Sequence, residues 1–256
     1  MEKQKNKKKT QKKKSPLPLI AAAAVLIALI GLALFLILKK GGEKNPAVTD
    51  TDSRAPEATF APPETASGDF SLGEGIRVVF VGRYAGYYPE DGSDEAVSGV
   101  AMVTVRNEGT KYVQLLSFTM KDDAGNEFAF RLTTLFPGDE MTVLETDKKQ
   151  FDMNRKIVSV SNNGYALFAS EPSLQGDILR IFLSDRGITL ENISGKTVPA
   201  GKLYYKNQSD GILVGGITYS SSFPSLAPGE KTSLNPKHYS ESGSRMMFIT
   251  FSDQAE

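Results

Sequence analysis

The chain of 256 residues contains no cysteine and only one histidine. Without cysteine the chain can form no disulfide, attach no lipid through a thiol and use no thiolate as a nucleophile or zinc ligand. Apolar burial alone must therefore stabilise the fold. This is typical of a bacterial envelope protein rather than an animal cell-surface receptor, in which disulfides are common.

Signatures of catalysis are also missing. The sequence has no Gly-x-Ser-x-Gly elbow, no Ser-x-x-Lys pair and no glycine-rich phosphate loop. The one histidine, His238, is expected at the surface or in a loop. The stretch from Asp91 begins like a calcium loop, but Ala96 and Met102 occupy the positions where an EF-hand has Gly and Glu. We predict a protein without cofactor, metal or catalysis; because carboxylates are numerous, an envelope hydrolase stays open as an alternative.

Charge is divided unevenly along the chain. Residues 1–14 contain eight lysines and one acidic residue, whereas residues 41–256 contain 20 basic and 29 acidic residues, a net charge of −9. The lysine-rich tail has no aromatic residue, and membrane topology accounts for its charge. No nucleic-acid partner is therefore predicted.

The segment 16–38 contains no charged residue, Asn or Gln. About 20 apolar residues at 1.5 Å each span about 30 Å, the thickness of the hydrocarbon core of a bilayer. A cleaved signal peptide and a buried core helix are the alternatives, but no small-x-small cleavage site follows. We predict a single transmembrane helix that acts as a signal anchor. The lysine excess predicts that the tail, residues 1–15, is cytoplasmic and that the rest is extracellular.

Residues 39–69 are rich in Pro, Thr, Ala and Glu, which predicts a disordered linker. Beyond it, stretches such as "VAMVTVRN" and "EFAFRLTTL" alternate with period two, and turn residues rather than helical segments separate them. One further stretch, "KIVSVSNNGYALFAS", contains Asn163-Gly164, which predicts a tight hairpin turn. The sequence predicts an all-β ectodomain without an amphipathic helix.

Several phrases of this ectodomain occur twice in the same order. "MVTVRNEGTKYV" is matched by "GITLENISGKTV", "SFTMKDDAG" by "KLYYKNQSDG", and "LFPGD" by "LAPGE". The Asn and Gly of the first phrase fit a turn between strands, and the Pro-Gly of the last fits a type II turn. We predict two tandem β-sandwich modules, residues 70–171 and 172–256, and expect the second to fold alone.

The phrase from Phe118 to Asp122, "FTMKD", and its counterpart from Leu203 to Asn207, "LYYKN", resemble the Phe-x-Leu-Tyr-Asp motif of FxLYD domains. These and related immunoglobulin-like modules are found on membrane-anchored envelope proteins of Gram-positive bacteria. The resemblance implies two tandem immunoglobulin-like β-sandwiches and an envelope location, and it supplies no catalytic residue. The sequence thus predicts a membrane-anchored protein that binds a protein or envelope polymer, with a structural spacer or assembly subunit as the alternative.

The first module has 17 more residues than the second between its first two strands. An extra connection of this size is often functional, and tyrosine is favoured at interfaces. A longer hairpin whose tyrosines cover their own sandwich is the alternative. The predicted contact site combines tyrosine anchors with acidic steering charges: Tyr84, Tyr87, Tyr88, Asp91, Asp94 and Glu95.

Overall fold

The elements of this structure, a computed structural model that describes residues 69–93 and 95–252, are β-strands. The predicted all-β class is confirmed for these residues. They include no helix long and apolar enough to cross a membrane. The predicted tail and helix, and the linker up to residue 68, lie outside the described residues. The strands are β1 (Phe70–Gly73), β2 (Ile76–Tyr88), β3 (Glu95–Asn107), β4 (Val113–Asp122), β5 (Glu127–Leu135), β6 (Glu140–Leu144), β7 (Ile157–Leu167), β8 (Leu179–Ser184), β9 (Gly187–Asn192), β10 (Gly201–Ser209), β11 (Ile212–Phe223), β12 (Lys231–Leu234) and β13 (Ser244–Phe251).

These strands form three sheets, in which the same order of pairing occurs twice. One sheet has the order β1-β2-β3-β6-β11-β10-β13, and two smaller sheets have the orders β12-β9-β8 and β5-β4-β7. In the part of the chain before residue 172, strands β2-β3-β6 belong to the large sheet and β5-β4-β7 form a separate sheet. In the part after it, β8-β9-β12 form a separate sheet and β11-β10-β13 belong to the large sheet. We call these two halves the first and the second repeat.

Each repeat has a core between its two groups of strands. In the first repeat, Val78 and Val103 from β2 and β3 join Phe118 and Phe130 from β4 and β5, all nearly inaccessible to solvent. Along β4 the buried residues alternate with less buried ones, which gives the strand one apolar face. A second core includes Leu190 and Leu203. This arrangement is compatible with a β-sandwich.

A buried asparagine ends β3 in the first repeat and β9 in the second. Asn107 Nδ2 donates to the carbonyl oxygens of Lys111, at 2.9 Å, and Leu135, at 3.2 Å. Asn192 Nδ2 donates to those of Lys196 and Leu226, both at 2.8 Å. Both asparagines have an exposed fraction of 0%. In both repeats the asparagine side chain thus holds the loop that follows it, and we call this arrangement the asparagine clamp.

The Pro-Gly phrases form the predicted turns. Asp139 N donates to Phe136 O at 3.1 Å, and Gly138 between them has φ +80°. Gly229 has φ +75° in the corresponding turn of the second repeat. A positive φ at the third residue of the turn, after proline, is the type II geometry.

The hairpin turn predicted at Asn163-Gly164 is wrong. β7 runs through both residues and pairs with β4 on either side of them. The register of this pairing shifts between Ser117 and Phe118, and Gly164 N donates to Asn162 Oδ1 at 3.1 Å. A bulge and a local side-chain bond therefore accommodate the Asn-Gly pair inside the strand.

The two repeats share a sheet and part of a core. The predicted division between residues 171 and 172 falls between β7 and β8. However, β6 of the first repeat pairs in parallel with β11 of the second, with Met141 opposite Leu213 and Thr142 opposite Val214. Leu213 and Phe248, from the second repeat, belong to the core of the first. We call this contact the repeat junction.

Candidate binding hairpin and the repeat junction

The extra residues, 18 when Ile76 is matched to Leu179 by register, lengthen the hairpin β2–β3 instead of forming a loose loop. Its pairing runs from Ile76 opposite Asn107 to Tyr88 opposite Glu95. In the second repeat, the corresponding hairpin β8–β9 ends at Ser184 opposite Gly187, after six residue pairs. The extension is therefore a two-stranded arm with its own backbone ladder.

The three predicted tyrosines are not together on the surface. Tyr84 is 5% exposed and donates its hydroxyl to Tyr87 O at 2.7 Å. Tyr88 is 1% exposed, and its hydroxyl lies 2.8 Å from Glu145 O. Tyr87 is 43% exposed. Tyr84 and Tyr88 pack in a small core with Val100, as in the alternative in which the hairpin covers its own sheet. Of the three, Tyr87 is the exposed one.

The acidic residues of the hairpin tip share a lysine. Lys148 Nζ lies 3.1 Å from Asp91 Oδ2 and 2.5 Å from Glu95 Oε2, and 4.7 Å from the ring centroid of Tyr88. Hydrogen bonds from Ser93, with the charge of Lys148, lower the pKa of Asp91 to about 2. Asp91 is therefore ionised at neutral pH, but Lys148 offsets part of its field. Asp94 lies outside the described residues.

Glu90, at the tip of this hairpin, was not among the predicted site residues, yet it bonds to two other strands. Its Oε1 accepts hydrogen bonds from Leu144 N and Gly216 N, both at 2.9 Å, and its Oε2 accepts from Gly216 N at 2.7 Å. Leu144 ends β6 of the first repeat, and Gly216 lies in β11 of the second. One carboxylate thus joins the hairpin to both strands of the repeat junction.

Opposite Glu90, β11 bulges around a buried lysine. Tyr205 pairs with Tyr219 and Asn207 with Val214, so four residues of β11 face one residue, Lys206. Lys206 is 0% exposed. Its Nζ donates to the carbonyl oxygens of Gly215, Gly216 and Ile217, at 3.2, 3.2 and 2.6 Å respectively. Three carbonyl acceptors match the three N–H bonds of an ammonium group.

The glycine pair of this bulge permits the close approach. A Cβ on Gly216 would lie 2.1 Å from Arg131 O and 2.9 Å from Glu90 Oε2. Gly215 has φ +83°, and a Cβ there would lie 2.9 Å from Pro89. Glycine inside a strand often marks such a bulge or close backbone contact. The pair Gly215-Gly216 was therefore the sequence signal for this site, although it does not identify Glu90 and Lys206 as partners.

Burial and pairing act against each other on the two charges. Burial lowers the pKa of Lys206 to about 7, and the charge of Glu90 opposes this. Burial raises the pKa of Glu90, and hydrogen bonds from Leu144 N and Gly216 N, with the charge of Lys206, oppose that. The hydrogen bonds on both sides favour the charged forms, a carboxylate among donors and an ammonium among acceptors.

Two further contacts cross the repeat junction. Arg245 of β13 lies 2.7 Å from Asp139 Oδ1, which follows the type II turn of the first repeat. A row of aromatic rings also crosses it. Phe168 meets Phe248 edge-on, with centroids 5.1 Å apart, and Phe248 stacks on Tyr204 at 4.3 Å. Aromatic pairs of this kind contribute about 0.5–1.5 kcal/mol each beyond their buried area. The junction thus combines backbone pairing, buried charge and aromatic packing.

His238, the one histidine, has an aromatic neighbour. It stacks on Tyr219, with ring centroids 4.8 Å apart. In residues 69–93 and 95–252, no group of three or more His, Cys, Asp or Glu side chains could hold a metal ion.

A comparison of the chain with protein-family models and with curated proteins finds no match.

Proposed function

We propose that this chain is a non-enzymatic, single-pass membrane protein of the bacterial cell envelope, with its N-terminus in the cytoplasm. Two immunoglobulin-like repeats of the FxLYD type would lie outside the cell and bind a protein or an envelope polymer. The uncharged segment 16–38, the lysines before it and the Pro-rich linker 39–69 support the anchoring. The absence of nucleophile and phosphate-loop motifs supports binding over catalysis.

The observation that carries the binding proposal is the fixed geometry of the long hairpin. Glu90 ties its tip to backbone groups of β6 and β11, so the arm is held in place before any partner arrives. Binding to a preorganised surface avoids the entropy loss of ordering a loop. The arm then presents Tyr87, an aromatic side chain with few rotors to immobilise.

The charges near the tip indicate the chemistry of the partner. Asp91 and Glu95 have side chains 44% and 61% exposed, and Asp147, after β6, is 70% exposed. Lys148 lies among them. A partner with exposed cationic groups beside an apolar surface fits this arrangement, because opposite charges speed encounter.

The test is a photo-crosslinking amino acid at position 87, introduced into the full chain in living cells. The control places the same group at Val158, an apolar residue on β7 that is 58% exposed. We expect a defined adduct from position 87 that position 158 does not give. The absence of any adduct from position 87, or the same adduct from both positions, would remove the hairpin as the contact site.

The repeat junction favours a second candidate function, a structural spacer or assembly subunit. A sheet that continues from one repeat into the next, with charges buried across the contact, makes the two repeats one stiff body. Mass spectrometry of the adducts separates the two candidates. A membrane protein at constant stoichiometry favours assembly, whereas a secreted protein or a polymer favours binding.

Protease treatment of intact protoplasts tests the topology. We expect external protease to remove a tag placed at residue 256 and to spare a tag at residue 1, because the lysine-rich flank should remain inside. Digestion of the tag at residue 1 with protection of the tag at residue 256 would reverse the orientation.

A further inference from the structure

Strand β8 is the outermost strand of the sheet β12-β9-β8. It pairs with β9 on one side, and no strand among residues 69–93 and 95–252 pairs with its other edge. Two of its apolar side chains are exposed, Phe182 at 43% and Leu183 at 39%. An edge strand with exposed apolar residues is a template for pairing with another strand.

The register shows which backbone groups this edge presents. Asn192 N donates to Glu230 O, towards β12, so Asn192 directs its main-chain groups away from β8. Leu179 and Asn192 therefore form a pair without hydrogen bonds between β8 and β9, and in antiparallel sheets such pairs alternate with hydrogen-bonded ones. The N–H and C=O groups that point outwards, away from β9, are those of Leu179, Ile181 and Leu183. Leu179 N already donates to Gln175 O, which leaves the groups of Ile181 and Leu183 for a new strand.

The first repeat shows that this position in the fold accepts an antiparallel strand. Ile76 of β2 lies opposite Asn107, as Leu179 of β8 lies opposite Asn192, so the two strands correspond. β1 covers the outer edge of β2, with Ser71 opposite Arg77 and Phe70 opposite Val78. The second repeat has no such strand among its described residues, because the turn at Gln175 leads directly into β8.

We propose that β8 pairs with β8 of a second copy of this chain, antiparallel about a two-fold axis at Phe182. The pairing joins two smaller sheets edge to edge. It does not depend on what the long hairpin binds.

The sequence of β8 is complementary to itself in this register. A two-fold axis perpendicular to the sheet keeps inner side chains beside inner ones and outer beside outer. Ile181 then lies opposite Leu183 of the second copy and exchanges two hydrogen bonds with it, and the symmetric pair does the same. The two Phe182 rings meet on the outer face. Arg180 lies opposite Ser184 of the second copy, beside the turn that carries Asp185 and Arg186.

Such a contact is small. Two short strands bury less area than most stable dimers, so we expect an association that depends on concentration. Confinement to a surface would strengthen it by raising the effective concentration.

The absence of cysteine permits a direct test. In the full chain, Phe182→Cys places two thiols at a pair whose Cα atoms lie about 4.5 Å apart, within the range for a disulfide. The matched control is Val158→Cys, on the outer strand β7 of another sheet. Under mild oxidation in membranes we expect at least tenfold more covalent dimer from Phe182→Cys than from Val158→Cys. Equal cross-linking of the two variants, or a monomeric Phe182→Cys, overturns the proposal.

A second variant separates pairing from folding. Leu183→Lys places a charge at the centre of the proposed contact, on a side chain that is already partly exposed. In the Phe182→Cys background it should reduce covalent dimer at least fivefold without changing the melting temperature. In the cysteine-free chain, sedimentation in detergent should show a lower dimer fraction for Leu183→Lys than for wild type at equal concentration. A dimer fraction equal to that of wild type contradicts pairing through β8.

Discussion

At the residue scale, Lys121 and Lys206 occupy corresponding positions in the two repeats but have opposite environments. Lys121 lies at the surface, 3.6 Å from Glu127. Lys206 is buried in the bulge of β11, where three carbonyl oxygens accept its N–H bonds. The difference arises because β11 pairs with β6, whereas among the described strands β5 pairs only with β4. Neighbouring residues alone therefore do not determine how such a side chain is used.

The sequence predicted that Asn107 and Asn192 lie in turns between strands, but not that they are buried. Each bonds to a residue four positions along the chain and to a distant one, and only the short-range bond belongs to the turn phrase. Glu90 binds Gly216 across 126 residues, and its local sequence resembles a solvated acidic loop. A contact formed only when two distant strands meet leaves little local pattern. The same reason explains Tyr84 and Tyr88, whose burial depends on the sheet beneath the hairpin.

The asparagine clamps can be tested in both repeats. Asn107→Ala and Asn192→Ala each remove the donor to one buried carbonyl oxygen, that of Leu135 or Leu226, so we expect each to lower the free energy of unfolding by about 1–3 kcal/mol. Urea denaturation measures the loss. Asn154→Ala is the control, because Asn154 bonds to Asp152 at the surface. A loss in one repeat alone would show that the two clamps are not equivalent.

The lowered pKa of Lys206 predicts that the stability of the fold depends on pH. Its pKa of about 7 in the folded chain is below the ordinary value of 10.5. Between these values the unfolded chain holds a proton that the folded chain has released, so the free energy of unfolding rises with pH, by at most about 1.4 kcal/mol per unit. Below about pH 7 both states hold the proton, and the contribution to the slope disappears.

The variant Lys206→Met isolates this effect. At pH 7 we expect it to be less stable than wild type by about 2–4 kcal/mol, because Glu90 loses its counter-charge and three carbonyls lose their donor. The difference from wild type should widen from pH 7 to pH 9 in urea titrations. Lys121→Met, at the exposed matching position, serves as the control. A difference that stays constant across this range would show that Lys206 does not titrate there.

At the element scale, the bulge of β11 distinguishes this strand from its counterpart β5. Alternation along β4 and β5 predicted these strands, since one face of each packs on a core. It could not predict which edges would pair, because β6 and β11 meet through parallel backbone groups without a pattern of their own. The Asn163-Gly164 prediction failed for a related reason: pairing along β4 outweighed a local turn preference.

Gly216→Ala tests the bulge. The new Cβ would meet Arg131 O and the carboxylate of Glu90, and backbone oxygen cannot move aside as a flexible side chain could. We expect a loss of about 2–4 kcal/mol in the free energy of unfolding, typical of overpacking combined with a broken buried hydrogen bond. Gly176→Ala is the matched control, because a Cβ there has no atom within 4 Å. Equal melting temperatures for the two variants would contradict the tight contact at Gly216.

At the scale of the whole molecule, the repetition predicted two similar halves, and the structure adds how they are joined. Each half has a core of its own, yet Leu213 and Phe248 complete the core of the first repeat. The duplicated phrases describe what the halves have in common. Glu90 lies in the first repeat and the glycine pair in the second, and neither belongs to a phrase that occurs twice. The repetition therefore does not indicate them.

A separate fragment of residues 172–256 tests how much the repeat junction contributes to stability. Separation exposes Leu213 and Phe248 and leaves Lys206 without Glu90, so we expect the fragment to fold with a melting temperature well below that of the intact chain. Arg245→Ala in the intact chain removes one junction contact. Its melting temperature should lie between that of the fragment and that of the intact wild-type chain. A fragment as stable as the intact chain would show that the junction adds nothing.

The wide sequence separation of the Glu90 contact has a consequence for biosynthesis. The first repeat is complete about 50 residues before the end of β11 has been made, which at 5–20 residues per second takes several seconds. During that interval the outer edge of β6 is bare. Glu90 can already accept the N–H of Leu144 at the end of β6, and its negative charge discourages other strands from adding there. We expect the carboxylate that later binds Gly216 to reduce pairing of this bare edge with other strands in the nascent chain.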